Sequence, residues 1–383
     1  MKSLKYSLLV LAVMVSVIIS SQQSPFEQYV RENQQAFQDF QDAEAGYKEE
    51  VTQQYETYVR EQQQAFEEFR EEVERKWDVF RYSSKKEYVD YNEDLNSRGS
   101  VDYEDGTVGV EVLENPEDPT AAQNARERIE QKIIDLVQTR DTEGNSILQD
   151  QLETADGQTV NRDNVQQFAQ QVTKEKPVQS STYTDQEGNQ RTKYTVTIPM
   201  VPDHLAKRAS RYKTEVIRQS NRFRVDPPLA FAVIQTESYF NPRARSHIPA
   251  FGLMQLVPQS GARDAYLFVY NRDTLLTGEY LFVPRNNIEL GCAYFSKLRN
   301  VYFQDIEDDS SAYYCAIAAY NTGPGNVARA LTGRKQLRPM ISAVNAHNRT
   351  WVYRKLLRDL PYDETKDYLR KVRNRAGTYQ SWR

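Results

Sequence analysis

The chain has 383 residues, 39 % of them hydrophobic and 27 % charged, with a net charge of −5. That is ordinary for soluble material and long enough for two or three domains. The charge is unevenly spread: residues 203–383 hold 28 Lys+Arg against 16 Asp+Glu, a net of +12, which leaves −17 for residues 1–202. The C-terminal half should therefore attract an anionic partner, yet no zinc-finger, RNP or helix-turn-helix signature is present, so nucleic acid is not the expected one.

Residues 1–21 read as an export signal. Lys2 and Lys5 precede an apolar run from Leu8 to Ile19 that is short for a spanning helix. The small residues Ser20 and Ser21 offer only a poor cleavage site, so a cleaved signal and an uncleaved anchor over residues 6–21 both stay open. No Cys follows the run, so lipid attachment at a processed N-terminal Cys is not expected. The expected location is the periplasm, with membrane anchoring if the signal is retained. The two cysteines, Cys292 and Cys315, sit in apolar helical sequence. Export permits a disulfide between them, and two buried thiols fit equally well.

Residues 22–80 form a helical repeat region. FEQYVRENQQAFQDFQ (26–41) recurs as YETYVREQQQAFEEFR (55–70), displaced by 29 residues. Eight helical turns need about 29 residues, so a continuous helix returns Phe26, Tyr29, Phe37, Phe40, Tyr55, Tyr58, Phe66 and Phe69 to one face. Such a stripe points to a spacer or to self-association through residues 26–80.

Residues 81–202 read as a small acidic α+β module. Val101, Tyr103, Val108, Val110 and Val112 alternate around Asp105-Gly106, a hairpin signal. Asp118-Pro119 opens a helix to about Arg140, polar loop fills 140–162, a second helix falls near 162–174, and KYTVTIPMV (193–201) alternates as a strand. Residues 203–383 read as helical, with helices at 203–222, 227–239, 288–301, 311–319, 325–331, 349–358 and 361–376. Asp226-Pro227-Pro228 is a sharp helix start.

That helix carries Glu237. Six apolar residues lie between Leu229 and Glu237, and no other acid falls between Asp226 and Asp264. An acid on an apolar face at a helix C-terminus is disfavoured in its charged form, which suits a general acid. Other chemistries fail on inventory. The three histidines, His204, His247 and His347, are widely spread without an HExxH pattern, and no G-x-S-x-G, P-loop or GxGxxG occurs. Neither metal nor cofactor is expected.

Beyond Glu237-Ser238 come Asn241-Pro242, Ala244 and Ser246, then Gly252-Leu253-Met254-Gln255 with Pro258, and later Ala319-Tyr320-Asn321-Thr322-Gly323-Pro324-Gly325. In content and order these motifs resemble the lytic transglycosylases of the goose-type lysozyme-like superfamily. Residues before them from about 70, and WVYRKLLRDLPYDET (351–365), are similar to a membrane-bound branch of that family. The resemblance implies an α+β protein, with a mostly α lysozyme-like catalytic domain behind the module and the helical repeat. It implies cleavage of the MurNAc–GlcNAc β-1,4 bond of peptidoglycan glycan strands without water, leaving 1,6-anhydro-MurNAc ends. By the same resemblance Glu237 is the acid and base, Ser246 and Gln255 hold the sugar, Met254 lines the floor, Tyr320 hydrogen-bonds near Glu237 or the acetamido group, and Asn321 shapes the wall. Val257 departs from the Met that several relatives carry. Two other readings stay open: a hydrolytic muramidase on the same fold, and a non-catalytic cell-wall-binding scaffold. A hydrolase needs a second acid, which Asp264 or Glu289 would have to supply by folding back.

Overall fold

A computed structural model describes residues 25–246 and 250–382, and only the backbone of 25–48 and 51. The export segment 1–21 and the side chains of the first repeat copy lie outside the described residues. Among those described, no helix is long and apolar enough to cross a membrane. The chain divides into two compact units, Met1–Glu56 and Thr57–Arg383. The first described element is the helix α1 (Pro25–Lys76).

Strands β1 (Glu87–Tyr91), β2 (Ser97–Asp102), β3 (Thr107–Glu114), β4 (Gln179–Thr184) and β5 (Gln190–Pro199) form one antiparallel sheet in the order β1-β2-β3-β5-β4. The β2–β3 hairpin closes at Asp102↔Thr107. Its turn needs the left-handed backbone of Gly106 (φ +67°), and Asp102 Oδ1 accepts from the amides of Glu104 and Asp105. Helix α2 (Ala121–Gln138) lies on β2 and β3, and α3 (Val165–Glu175) packs against α2. Ala125, Ile129, Ile133 and Leu136 recur at helical spacing and pack with Val101, Val108, Val110 and Val112, which are spaced for a strand.

The helical part comprises α4 (His204–Arg211), α5 (Lys213–Phe223), α6 (Pro227–Ser238), α7 (Arg263–Tyr270), α8 (Gly278–Phe282), α9 (Pro284–Lys297), α10 (Asp309–Thr322), α11 (Pro324–Thr332), α12 (Leu337–Asn345), α13 (Arg349–Asp359) and α14 (Asp363–Ala376). α6 is its axis. From Pro228 to Ser238 only Thr236 escapes full burial, so the apolar face expected from the sequence extends almost all the way round. α14 and the C-terminal turn pack directly on it. Cys292 in α9 and Cys315 in α10 are buried free thiols, and burial pushes both up to about 12.

The second repeat copy is spent within its own chain. Tyr58 packs against the cluster around Phe251 and Leu281, while Phe66 stacks edge-on with Phe80 and Tyr82, and Phe69 with Phe80 and Tyr91. Val73 and Trp77 close the helix against Leu95 and Leu113. Residues 57–76 thus run from the helical part to the sheet.

Candidate active site

The acid-bearing helix ends abruptly. Tyr239 (φ 49°) and Phe240 (φ 61°) are consecutive left-handed residues without being glycine, an arrangement that persists only when its surroundings impose it. They do: Phe240 is fully buried, and the Tyr239 carbonyl accepts from Arg208 Nε at 3.1 Å. Arg375 of α14 donates to the Gln235 carbonyl and the Thr236 hydroxyl, both at 3.2 Å, placing a cation at the negative end of α6.

Glu237 sits just before this turn, 5 % exposed. Burial pushes its pKa from 4.5 up to about 7, against the opposing pull of Lys85, whose Nζ lies 3.8 Å from Oε2. The Tyr368 hydroxyl of α14 also favours the charged form, although it stays outside hydrogen-bond geometry with any described group. Tyr320 completes the surround: its hydroxyl donates to the Met254 carbonyl at 2.9 Å. Burial, then the nearby Glu237, holds both phenols well above the usual range. Glu364, at the start of α14, stands on the far side of Lys85, 3.7 Å from its Nζ, and its charge raises Glu237 slightly.

The opposite wall is the turn Phe251–Leu256, closed by reciprocal backbone hydrogen bonds of 3.1 Å. Gly252 takes φ +75°, and a Cβ there would meet Asn287 Nδ2 and the Leu281 carbonyl, each at 2.4 Å. Asn287, fully buried in α9, holds this turn. Its Nδ2 donates to the carbonyls of Phe251 and Leu281 at 2.8 Å, and its Oδ1 accepts from the Met254 amide at 2.7 Å. Gln255 (φ 47°) turns Nε2 to the carbonyls of Ala244 and Gly252 at 3.0 and 2.9 Å, leaving Oε1 buried without a hydrogen bond.

These groups border a cleft of about 1270 Å³. Glu237, Ser246, Gln255, Tyr320 and Asn321 all line it. The expectation for Met254 needs correcting. Its side chain is 1 % exposed and packs into the core, its sulfur in the space where a Cβ on Gly291 would stand, so only its backbone carbonyl serves the site. Asn321 forms wall by tying two helices together, since its Oδ1 accepts from the Thr365 hydroxyl at 2.6 Å. Neither Asp264 nor Glu289 folds back: the first pairs with Lys297 at 2.8 Å, the second with Arg222 at 2.5 Å. Lys85, Glu364, Tyr368 and Asn287 are the members that sequence reasoning missed. The only trace of Lys85 was the basic pair Lys85-Lys86, and Tyr368 lay in a helix that was expected without being linked to the acid.

Residues 55–211 match the family model described as membrane-bound lytic murein transglycosylase C, N-terminal domain, and residues 215–340 match the transglycosylase SLT domain. The membrane-bound lytic murein transglycosylase C of Klebsiella pneumoniae is 31 % identical over 314 residues, 77 % of this chain and 82 % of the relative. That of Salmonella arizonae is 34 % identical over 310 residues, with the same shares. Among solved structures, the lytic transglycosylase Slt of Pseudomonas aeruginosa aligns with a TM-score of 0.33 and 27 % identity, over 44 % of this chain and 24 % of that one.

Proposed function

The chain belongs to the membrane-bound lytic murein transglycosylase C family, and from this we infer that it is a peptidoglycan lyase in which Glu237 alone moves the proton. The substrate bond is the β-1,4 link between MurNAc and GlcNAc. Glu237 enters the cycle protonated and gives its proton to the glycosidic oxygen as the C1–O bond breaks. The resulting carboxylate then accepts the proton of the muramic acid 6-hydroxyl as that oxygen bonds to C1. One C–O bond is lost, one is gained, the acid is restored, and no water is consumed.

The observation that carries this reading is a carboxyl group 5 % exposed in the cleft with a pKa of about 7. It is half protonated near neutral pH, which suits a group that must serve as acid and then as base. Gln255 refines the binding role. Both Nε2 protons are committed to the Ala244 and Gly252 carbonyls, which fixes the side chain at the cleft edge, while its buried Oε1 has no hydrogen bond. Ser246, Tyr320 and Asn321 border the same space.

One observation bears on the hydrolytic alternative. Oxygens of Glu237 and Glu364 lie 3.8 and 3.7 Å from one nitrogen. Those oxygens are therefore at most about 7.5 Å apart, a separation that by itself suits a pair of hydrolase acids. The group that both carboxylates contact is the Lys85 ammonium, which cannot act as the nucleophile a hydrolase would place there. Mass spectrometry of sacculi digested in ¹⁸O water decides the question. Unlabelled anhydro ends are expected, and labelled reducing ends would overturn the reading.

The wider assignments belong to the same proposal. Residues 203–383 form the catalytic domain and 81–202 a module that borders the cleft through its first residues. The basic surface of the catalytic domain meets the lactyl and peptide carboxylates of peptidoglycan. Residues 1–21 export the chain to the periplasm, and 6–21 anchor it if retained. The repeat region 22–80, with α1 (Pro25–Lys76) inside it, is a spacer or a self-association element. Self-association rests on the first repeat copy, because the second packs on its own chain.

A further inference from the structure

Lys85 lies in a short loop ahead of β1, more than 150 residues from Glu237, and this loop is held from both sides. On the sheet side, the Tyr103 amide donates to the Lys86 carbonyl at 2.9 Å, and the Ser84 amide to the Glu87 carbonyl at 2.8 Å. On the helical side, Asn241 Nδ2 donates to the Lys85 carbonyl and the Arg245 amide to the Ser84 carbonyl, each at 3.4 Å. Asn241, four residues beyond Glu237 and wholly buried, thus links the strained turn after the acid to the loop that carries the cation.

The charges around this point are few. Lys86 is engaged by Glu104 at 2.5 Å, and Arg245 lies over the Tyr82 ring at 5.0 Å. Arg375 is turned to the Gln235 carbonyl and Thr236 at the end of α6. Tyr320 faces the acid from α10 and Tyr368 from α14, both keeping their protons. That leaves Lys85 between Glu237 Oε2 and Glu364 Oε1.

We propose that Lys85 is a positioning residue for the reaction: it steadies the Glu237 carboxylate during the half-cycle that follows proton donation, and Glu364 holds it there. This rests on the reading of Glu237 as the acid and base. Burial favours the protonated carboxyl throughout, which helps the first step and opposes the second. A neighbouring cation acts on the anion and scarcely on the neutral acid, so it lowers the cost of the state between the two steps. Glu364, with its side chain 74 % exposed, supplies a counter-charge that fixes the lysine without burying a second acid.

The test uses the full chain and soluble peptidoglycan strands, with anhydro product quantified across pH. The alkaline limb of kcat/KM reports the essential acid. Lys85→Met is expected to move that limb upward by about half a unit or more and to slow turnover below it. Lys85→Arg should keep the limb in place. Glu364→Gln releases Lys85 from its clamp and, because Lys85 outweighs Glu364 in its effect on the acid, should move the limb upward, less far than Lys85→Met does; it tests the same arrangement if Lys85→Met fails to fold. A purely structural lysine would lower the rate equally at every pH, and a limb unmoved by both Lys85→Met and Glu364→Gln overturns the proposal. Glu237→Gln separates the two levels: if it is inactive while the limbs stay fixed, only Lys85's role fails, whereas an active Glu237→Gln removes the underlying reading.

Discussion

The hydroxyl of Ser238 donates to the carbonyl of Leu253 at 2.8 Å, so the residue beside the acid is tied to the middle of the glycine turn that forms the opposite wall. Both walls of the cleft are thereby referenced to one buried hydroxyl. Ser238→Ala leaves that carbonyl buried and unpaired, at a cost of about 1–3 kcal/mol. Denaturant unfolding should register the loss, and kcat should fall with it. An unchanged midpoint would show that the bond contributes nothing.

Asn287 makes three hydrogen bonds to the turn and to α8 from a fully buried position. Asn287→Ala removes all three and leaves the Leu281 carbonyl and the Met254 amide without partners, while the Phe251 carbonyl keeps the Leu256 amide, for a loss of roughly 2 kcal/mol or more. Gln255 relies on the same turn, so sugar affinity is expected to fall even where the variant remains folded. Chemical denaturation together with glycan binding checks both effects.

Glu237 also ties stability to pH. Its folded pKa, about 7, lies above the 4.5 of the free group, so the folded state keeps a proton that the unfolded state releases. Stability from this group is complete below about pH 4.5, declines as pH rises through the window to about 7, and levels off above it. The total is on the order of 3 kcal/mol. Glu237→Gln abolishes this dependence and should be the more stable form at pH 8, with little difference at pH 4.5. Parallel unfolding curves at the two pH values would contradict the burial argument.

Glu364 offers a clean test of the single-acid route. If a second carboxylate activated water, Glu364→Gln would abolish turnover. The expected result is retained turnover with anhydro ends as the product, read by mass spectrometry of the digest, since Glu364 touches Lys85 and not the reacting atoms.

Much of this was readable in advance, for identifiable reasons. The start of α6 follows from Asp226-Pro227-Pro228, and the β2–β3 hairpin from strict alternation about Asp105-Gly106. Both signals are local. β4 escaped because QSSTYT is an exposed edge strand with no apolar alternation. The expected helix over 203–222 is two helices, α4 and α5, that meet at Tyr212. α12 was hidden by Pro339, which the first turn of a helix accommodates. In the site, Glu237, Ser246, Gln255, Tyr320 and Asn321 lay within short motifs. Lys85 carries no such mark, and Glu364, although inside the quoted stretch 351–365, has nothing there to tie it to the acid, because what brings both to Glu237 is the packing of segments far apart in the chain. Met254 illustrates the opposite limit: its motif was legible, but the direction of its side chain depends on Gly291, 37 residues away.

Arg208 has a consequence for how the molecule comes apart. Only 1 % exposed, its guanidinium donates to the Tyr103 carbonyl and Gln151 Oε1, both at 2.6 Å, and to the Tyr239 carbonyl at 3.1 Å. A buried charge cannot be half released: once one acceptor departs, the others no longer repay its dehydration. The sheet core and the helical core are thus coupled through one cation, and they should melt in a single calorimetric transition. A helical half excised on its own would keep the Tyr239 carbonyl but strip that cation of Tyr103 and Gln151, beside the very turn that ends the catalytic helix.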